Sequence, residues 1–363
     1  MRPSVVVPAR KGNHAALTLS SQQGGDIPSR DQVSLVLIVY SRTLRFGKRD
    51  TSMANTAASE AARATEQAPG GDRRPVAGEA FIGDVWYVAA LSRDVRVNRP
   101  VSQMVCGRTL TLHRETSGSV RGEAGGEAVA LCEAHDLVWY CHGDPLRAQP
   151  IPPIKPPKDK VRYCATVEIP ADLDNAAYGL LDPAHTPFVH KSPIWRGSGI
   201  LKDKTKVFEP NTFGWTMVPH APVNSDIYKI IGGQISVRIE FRLPGHRAEY
   251  IQNRAHTVLG FTTLTPIDGA TTRLRQIFFW DSPVLWALRP FVPFVAKPFL
   301  QQDVEIMRLR AKNEQYGGRG MLVGDSDRQF IWYTQVKREW LAARRENRPF
   351  ANPLQSATLK WRT

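Results

Sequence analysis

An α+β fold, an antiparallel sheet with helices packed against it, is what the sequence predicts, and three observations predict it. Apolar and polar residues alternate through Ile235-Ser236-Val237-Arg238-Ile239-Glu240-Phe241-Arg242-Leu243, the period of a strand with one buried face. Two more β-rich runs, 257–265 and 273–280, flank a short connection holding Asp268-Gly269, a hairpin signal. Strands in series then give way to helical periodicity after Pro298, up to residue 314, and again over 325–345. That order places helices on a sheet rather than between its strands.

Taken in order, residues 1–80 mix Arg, Ser, Ala and Gly without sustained periodicity and read as a disordered, low-complexity extension. Its Arg-rich, acid-poor start is like that of a transit peptide; a translation start at Met53 accounts for it more simply. Order begins near Phe81. Residues 81–90, 104–113 and 128–140 are short and strand-like, with 122–126 as a flexible joint, and they form a β-rich region over 81–148. The Pro-rich stretch 150–157 is read as extended and marks a linker over 149–160. A denser domain follows over 161–348, and 349–363 is a C-terminal tail. In its last helix Asp325 is a plausible cap, and Phe330, Tyr333, Val336 and Trp340 share one face.

Composition narrows the function classes. The 363 residues are 42% hydrophobic and 23% charged, ordinary for a globular chain. The net charge of +14 is dispersed between the first 50 and last 30 residues, with no basic stripe interleaved with aromatics and no zinc-finger spacing, so nucleic acid is not expected as a partner. The apolar run 33–40 is far short of the roughly 20 residues a membrane helix needs. Four cysteines without a dense framework suit reduced thiols and a cytoplasmic location.

The chemistry-bearing stretch is Asp182-Pro183-Ala184-His185-Thr186-Pro187-Phe188-Val189-His190, with Asp303 far downstream at the head of a helical pattern. Two imidazoles and one carboxylate on one side of a metal make the facial triad of non-haem iron(II) oxygenases, leaving positions for O2 and substrate. Asp182 and Pro183 read as a helix start. His185 and His190 would splay on a regular helix, and an interruption at Pro187 would let both rings reach one ion. A polar cap beside two unrelated histidines is the bland alternative.

The Asp182-x2-His185-x4-His190 pattern resembles the mononuclear-iron motif of Rieske-type ring-hydroxylating oxygenases. Leu180-Leu181-Asp182-Pro183-Ala184-His185 is closest to the branch containing the vanillate O-demethylase and dicamba monooxygenase oxygenase components. Residues 81–90, 137–145, 278–280, 302–305 and 322–333 resemble that branch in the same order. The resemblance implies a helix-grip-like catalytic domain with mononuclear Fe(II) on His185, His190 and Asp303. It implies that Asp182 is a carboxylate hydrogen-bonded to a ligand histidine, linking the iron to its electron source. Gln276 and Trp280 would stand in the wall of a substrate pocket lined by strands within 227–280. It also implies a small aromatic or hydrophobic substrate, hydroxylated or O-demethylated with O2, an electron-donating reductase or ferredoxin, and a homotrimer.

Such proteins also carry a 2Fe–2S cluster on Cys-x-His and Cys-x2-His. This chain has no Cys-x-His, and its Cys132-Glu133-Ala134-His135 runs directly into the strand that should follow the cluster region. Residues 81–148 therefore read as the outer strands of a Rieske domain whose cluster-bearing insert is replaced by 121–126, with electrons needed from elsewhere. The competing expectation is a non-catalytic descendant, kept as a hydrophobic-ligand-binding or subunit-interaction module.

Overall fold

The first strands are short, and several turn on two-residue loops. They are β1 (Ser4–Val6), β2 (Val85–Leu91), β3 (Val101–Val105), β4 (Arg108–Arg114), β5 (Val120–Ala124), β6 (Glu127–Ala128), β7 (Leu131–Ala134) and β8 (Leu137–His142). They make two four-stranded sheets, β1-β7-β8-β2 and β3-β4-β5-β6. The structure, a computed structural model, describes residues 4–6, 81–190, 201–222, 231–315, 322 and 324–363. All of these fall in one compact unit. Of residues 1–80, only 4–6 are described, and they form an edge strand on β7. Two β-branched residues beside an open strand edge favour that pairing. The rest of the disorder expectation, and the apolar run 33–40, lie outside the described residues.

The runs 104–113 and 128–140, expected as single strands, each contain a hairpin. The hairpin loops are Cys106-Gly107 (φ 50° and 71°), Gly125-Gly126 (61° and 82°) and His135-Asp136 (57° and 61°). Positive φ at both central residues is the turn whose twist matches paired strands. Residues 122–126 are accordingly strand and tight turn, not a flexible joint. A Cβ on Gly122 would meet Leu131 Cδ1 at 2.8 Å, so close strand packing requires glycine there.

The later strands are β9 (Tyr163–Ile169), β10 (Asp203–Asn211), β11 (Gly214–His220), β12 (Ser236–Arg242), β13 (His246–Gln252), β14 (Thr257–Pro266), β15 (Thr272–Trp280) and β16 (Ala357–Arg362). They form one antiparallel sheet in the order β16-β10-β11-β12-β13-β14-β15-β9. The segment expected as a C-terminal tail thus ends in an edge strand. Residues 151–156 carry no helix or strand, and Ile154 among them is buried.

The helices are α1 (Leu173–Leu181), α2 (Thr186–Val189), α3 (Pro283–Leu288), α4 (Val292–Gln315) and α5 (Arg328–Arg345). Tyr333, Val336 and Trp340 of α5 are fully buried, and Trp332 and Tyr333 of α5 meet Trp215 and Phe241 of the large sheet edge to face. The opposite sheet face, with Ala248, Tyr250, Leu259, Phe261, Ile277 and Phe279, packs on Trp86, Val88, Leu137 and Trp139. Helices therefore cover one face and the N-terminal strands the other. His246 fastens that second contact, donating from Nε2 to the Trp86 carbonyl at 2.9 Å. Arg275 donates to the carbonyls of Val88 and Ala89, both at 2.8 Å, where β2 bulges.

Two helix expectations are corrected. Asp182 ends a helix instead of starting one: it is the C-cap of α1 (φ −76°, ψ 109°). Pro183 explains this, because it offers no N–H and pushes the preceding residue out of helical conformation. Asp303 lies inside α4 rather than at its head, since the helix starts at Val292 and passes through Pro298. The hydrogen bond lost at Pro298 belongs to the carbonyl of Phe294, a residue 77% exposed, so the break falls at the surface rather than in the core.

Candidate metal centre and its cavity

Asp172 caps α1 by accepting from Asn175 N at 2.8 Å. Asp174 in the first turn receives Tyr333 Oη and Lys337 Nζ, each at 2.7 Å, which fixes α1 to α5. At the other end, the break at Pro183 frees the last carbonyls of α1. The Asp182 carbonyl takes a hydrogen bond from His185 Nδ1 at 2.6 Å, and the Asp182 carboxylate takes the Ala184 N–H at 2.8 Å. The residue meets His185 through its backbone, therefore, and not through its carboxylate as expected. Pro187, expected to interrupt the segment, instead sits in the opening turn of the short helix α2, which runs between the two histidines.

A carbonyl only accepts, so His185 carries its proton on Nδ1 and presents the bare Nε2. His190 is held likewise: its Nδ1 lies 3.2 Å from Gln302 Oε1, and its ring stacks on Phe299 at 3.7 Å and 19°. Phe299, Gln302 and Asp303 sit three and four residues apart on α4, which puts them on one helix face. Asp303 Oδ1 lies 3.5 Å from His190 Nε2 and 3.7 Å from His185 Nε2. All three ligand atoms fall within 4.8 Å of one another, the single such grouping of three or more His, Cys, Asp or Glu among the described residues.

These residues fit a divalent metal. His190 is 1% exposed, and its Nε2 has no hydrogen-bond partner. A buried polar atom without a partner is costly, and a cation would satisfy it. Neighbouring ligands about 2.1 Å from a shared ion lie roughly 3.0–3.4 Å apart, so the two carboxylate–imidazole spacings of 3.5 and 3.7 Å need only a small contraction. Burial pushes Asp303 up to about 6, against the pull of His185. It pushes His190 down to about 4, helped by His185 and opposed by Gln302. Both shifts disfavour charge in a site lacking a cation, and a bound dication reverses that preference for the carboxylate.

The triad opens onto a cavity of about 630 Å³. Its floor is the helix-side face of the large sheet, read across paired strands. One row is Arg247-Thr262-Gln276, which Phe241 and Trp215 continue outside the cavity; the next is Met217-Ile239-Glu249-Gly260-Phe278, the third His220-Val237-Ile251-Val258-Trp280. Gly260 lies mid-floor, and a Cβ there would reach Gln276 Nε2 at 3.3 Å and Phe278 at 3.6 Å. Val292, Val295, Ala296 and Phe299 of α4 form part of the roof. Gln276 and Trp280, expected in the wall of a substrate pocket, both line this cavity. Gln276 Oε1 accepts from Thr262, and the Trp280 indole N–H is buried without a partner.

The sequence reading did not single out Gln302 as a support of His190, Gly260 as the floor, or Lys204, Lys206 and His220, which also line the cavity. Gln302 carried a signal: it directly precedes Asp303 on a helix. The cysteines play no part. Cys132 and Cys141 are buried in the interface between sheets, and burial pushes their thiols up to about 11 and about 12.

No protein-family model matches the chain, and no curated protein matches it. Solved structures do. Dicamba monooxygenase bound to dicamba matches with a TM-score of 0.56 at 14% identity, over 73% of this chain and 99% of that one. Dicamba monooxygenase with non-heme iron and dicamba matches at 0.51 and 15%, with the same coverage. NdmB of Pseudomonas putida CBB5 matches at 0.51 and 13%, over 72% and 92%. At such identities the likeness is one of fold. The chain has the α+β fold of Rieske-type ring-hydroxylating oxygenases. No helix among the described residues is long and apolar enough to cross a membrane.

Proposed function

We propose that this chain is the oxygenase component of a non-haem iron(II) system that oxidises a hydrophobic, aromatic-type substrate, by hydroxylation or O-demethylation. The observation that carries the reading is the convergence of His185, His190 and Asp303, with a buried unpartnered Nε2, at the edge of a largely apolar cavity. His185, His190 and Asp303 would hold a ferrous ion, which would supply dioxygen activation; the overall reaction would put one oxygen atom into a C–H bond and release the other as water, balanced by two external electrons and two protons. Where the C–H bond belongs to a methoxy group, the hydroxylated carbon departs as formaldehyde.

The chain's own residues do the positioning. The Asp182 carbonyl and Gln302 fix the imidazole tautomers and aim both Nε2 atoms at Asp303. Phe299 blocks ring rotation of His190. The apolar side chains of floor and roof, Met217, Ile239, Phe278, Val292 and Val295 among them, exclude water from the reacting carbon. With no Cys-x-His in the sequence, the electrons come from a reductase or ferredoxin acting in trans.

Anaerobic loading of the full chain with Fe(II), followed by iron and sulfide analysis, tests the reading. It expects about one iron per chain, no sulfide, and loss of stoichiometric iron in His185→Ala and Asp303→Ala. Both variants retaining full iron would refute it. A wild-type chain that takes no iron would instead favour the ligand-binding descendant.

A further inference from the structure

Two lysines stand where a strand's core residues belong. Along β10, Lys204, Lys206 and Phe208 alternate, so all three project from one sheet face. Phe208 is buried against Trp332 of α5, which identifies that face as the helix-covered one. Lys204 pairs across to Trp361 and Lys206 to Leu359, both buried apolar residues. Both lysines line the cavity of the triad and are only partly exposed. His220, donating Nδ1–H to the Val218 carbonyl at 2.9 Å, lines it beside them.

The charges there do not cancel. Arg247 pairs with Glu249 at 2.8 Å, so that couple adds none. Among the described residues neither lysine has a carboxylate within ion-pair distance; the Lys206 ammonium reaches only the Ala221 carbonyl, at 3.5 Å. Burial lowers the pKa of each lysine, and a second lysine adds to the effect: Lys202 beside Lys204, Lys204 beside Lys206. Ammonium groups drawn into an apolar wall without a counter-charge cost free energy that a bound anion offsets.

We infer that the cavity's ligand is an elongated amphipathic carboxylic acid, its carboxylate received by Lys204 and Lys206 and its apolar body extending toward the triad. The inference rests on reading the cavity as the substrate chamber. Length follows from the sheet. α1, which leads into the segment with His185 and His190, packs on β14, and α4, which bears Asp303, packs on β9; β14 is four strand spacings from β10. Four spacings amount to roughly 19 Å along the sheet; the inward-reaching lysine side chains close part of that span, and the remainder suits an extended acyl chain rather than a compact single ring.

The probes are decanoate and its uncharged amide, titrated into the iron-loaded full chain and followed by calorimetry. Wild type should bind the acid about tenfold or more tightly than the amide, the worth of a charge-assisted hydrogen bond. Lys204→Met with Lys206→Met should bind both alike while keeping its amide affinity, and Lys206→Glu should prefer the amide. Equal binding of the two probes by wild type, binding of neither, or an acid preference that survives the double substitution overturns the inference. Should the double variant misfold by circular dichroism, the folded single variants Lys204→Gln and Lys206→Gln decide it, by whether the preference falls. Iron content of the same samples separates this idea from the oxygenase reading. Full iron with no acid preference removes only the anionic head; a lysine-dependent preference without iron removes only the oxygenase.

Discussion

Lowering the pH should loosen the whole molecule through one histidine. His246 is buried, at 2% exposure, between the large sheet and β2. Its Nε2–H is committed to the Trp86 carbonyl, and its Nδ1 has no partner. Protonation would place an unpaired N–H and a charge in that interface, so burial, outweighing the Trp86 contact, holds the group down at about 4 against an ordinary value of 6.5. The unfolded chain takes up the proton near pH 6.5 and the folded chain only near pH 4, so stability is unaffected above pH 7 and falls as pH drops between those values. Linkage puts the loss at about 2 kcal/mol by pH 5 and about 3 kcal/mol below pH 4. Carboxylates also titrate in that range, so the measurement is a difference: urea unfolding of wild type and His246→Gln, followed by tryptophan fluorescence from pH 7 to pH 5. Glutamine keeps a donor for Trp86 and cannot be protonated. The advantage of wild type over the variant should shrink by about 2 kcal/mol across the range. Two curves that stay parallel would refute the argument.

Arg275→Met should cost about 3 kcal/mol in urea unfolding, because the Ala89 carbonyl loses its buried donor and the Val88 carbonyl keeps only Thr265. Gln302→Leu should weaken Fe(II) binding by about 10–100-fold while far-ultraviolet circular dichroism stays unchanged, since it frees His190 to rotate but removes no ligand. Gly260→Leu should abolish decanoate binding and leave iron content intact, because the new side chain rises from mid-floor beside Gln276 and Phe278.

Fold and site were legible to different depths. The strands at 236–242, 257–266 and 272–280 were readable because each has a solvent or cavity face that breaks its apolar run at period two. β10, β11 and β13 were missed for the opposite reason: their core faces carry lysine, histidine, arginine and glutamate, so no apolar period appears. The β3–β4 and β7–β8 hairpins escaped because Cys106 and His135-Asp136 occupy turn positions that usually announce themselves as Asn-Gly or Asp-Gly. His185, His190 and Asp303 could be picked out because metal chemistry restricts residue type and local spacing.

What supports the triad was less visible, for a physical reason. A carbonyl carries no side-chain signature, so the hydrogen bond from His185 to the Asp182 backbone could not be read from residue types, and the more conspicuous carboxylate of the same residue drew the expectation. The strands missed for want of an apolar period are also the ones that give the cavity its polar groups. A strand whose buried face carries Lys204 and Lys206 looks like a poor strand in one dimension. In three dimensions it is a strand stabilised by its partners β11 and β16, which leaves its own face free to be tuned for a ligand. The failure of periodicity there and the presence of charge in the cavity thus have one cause.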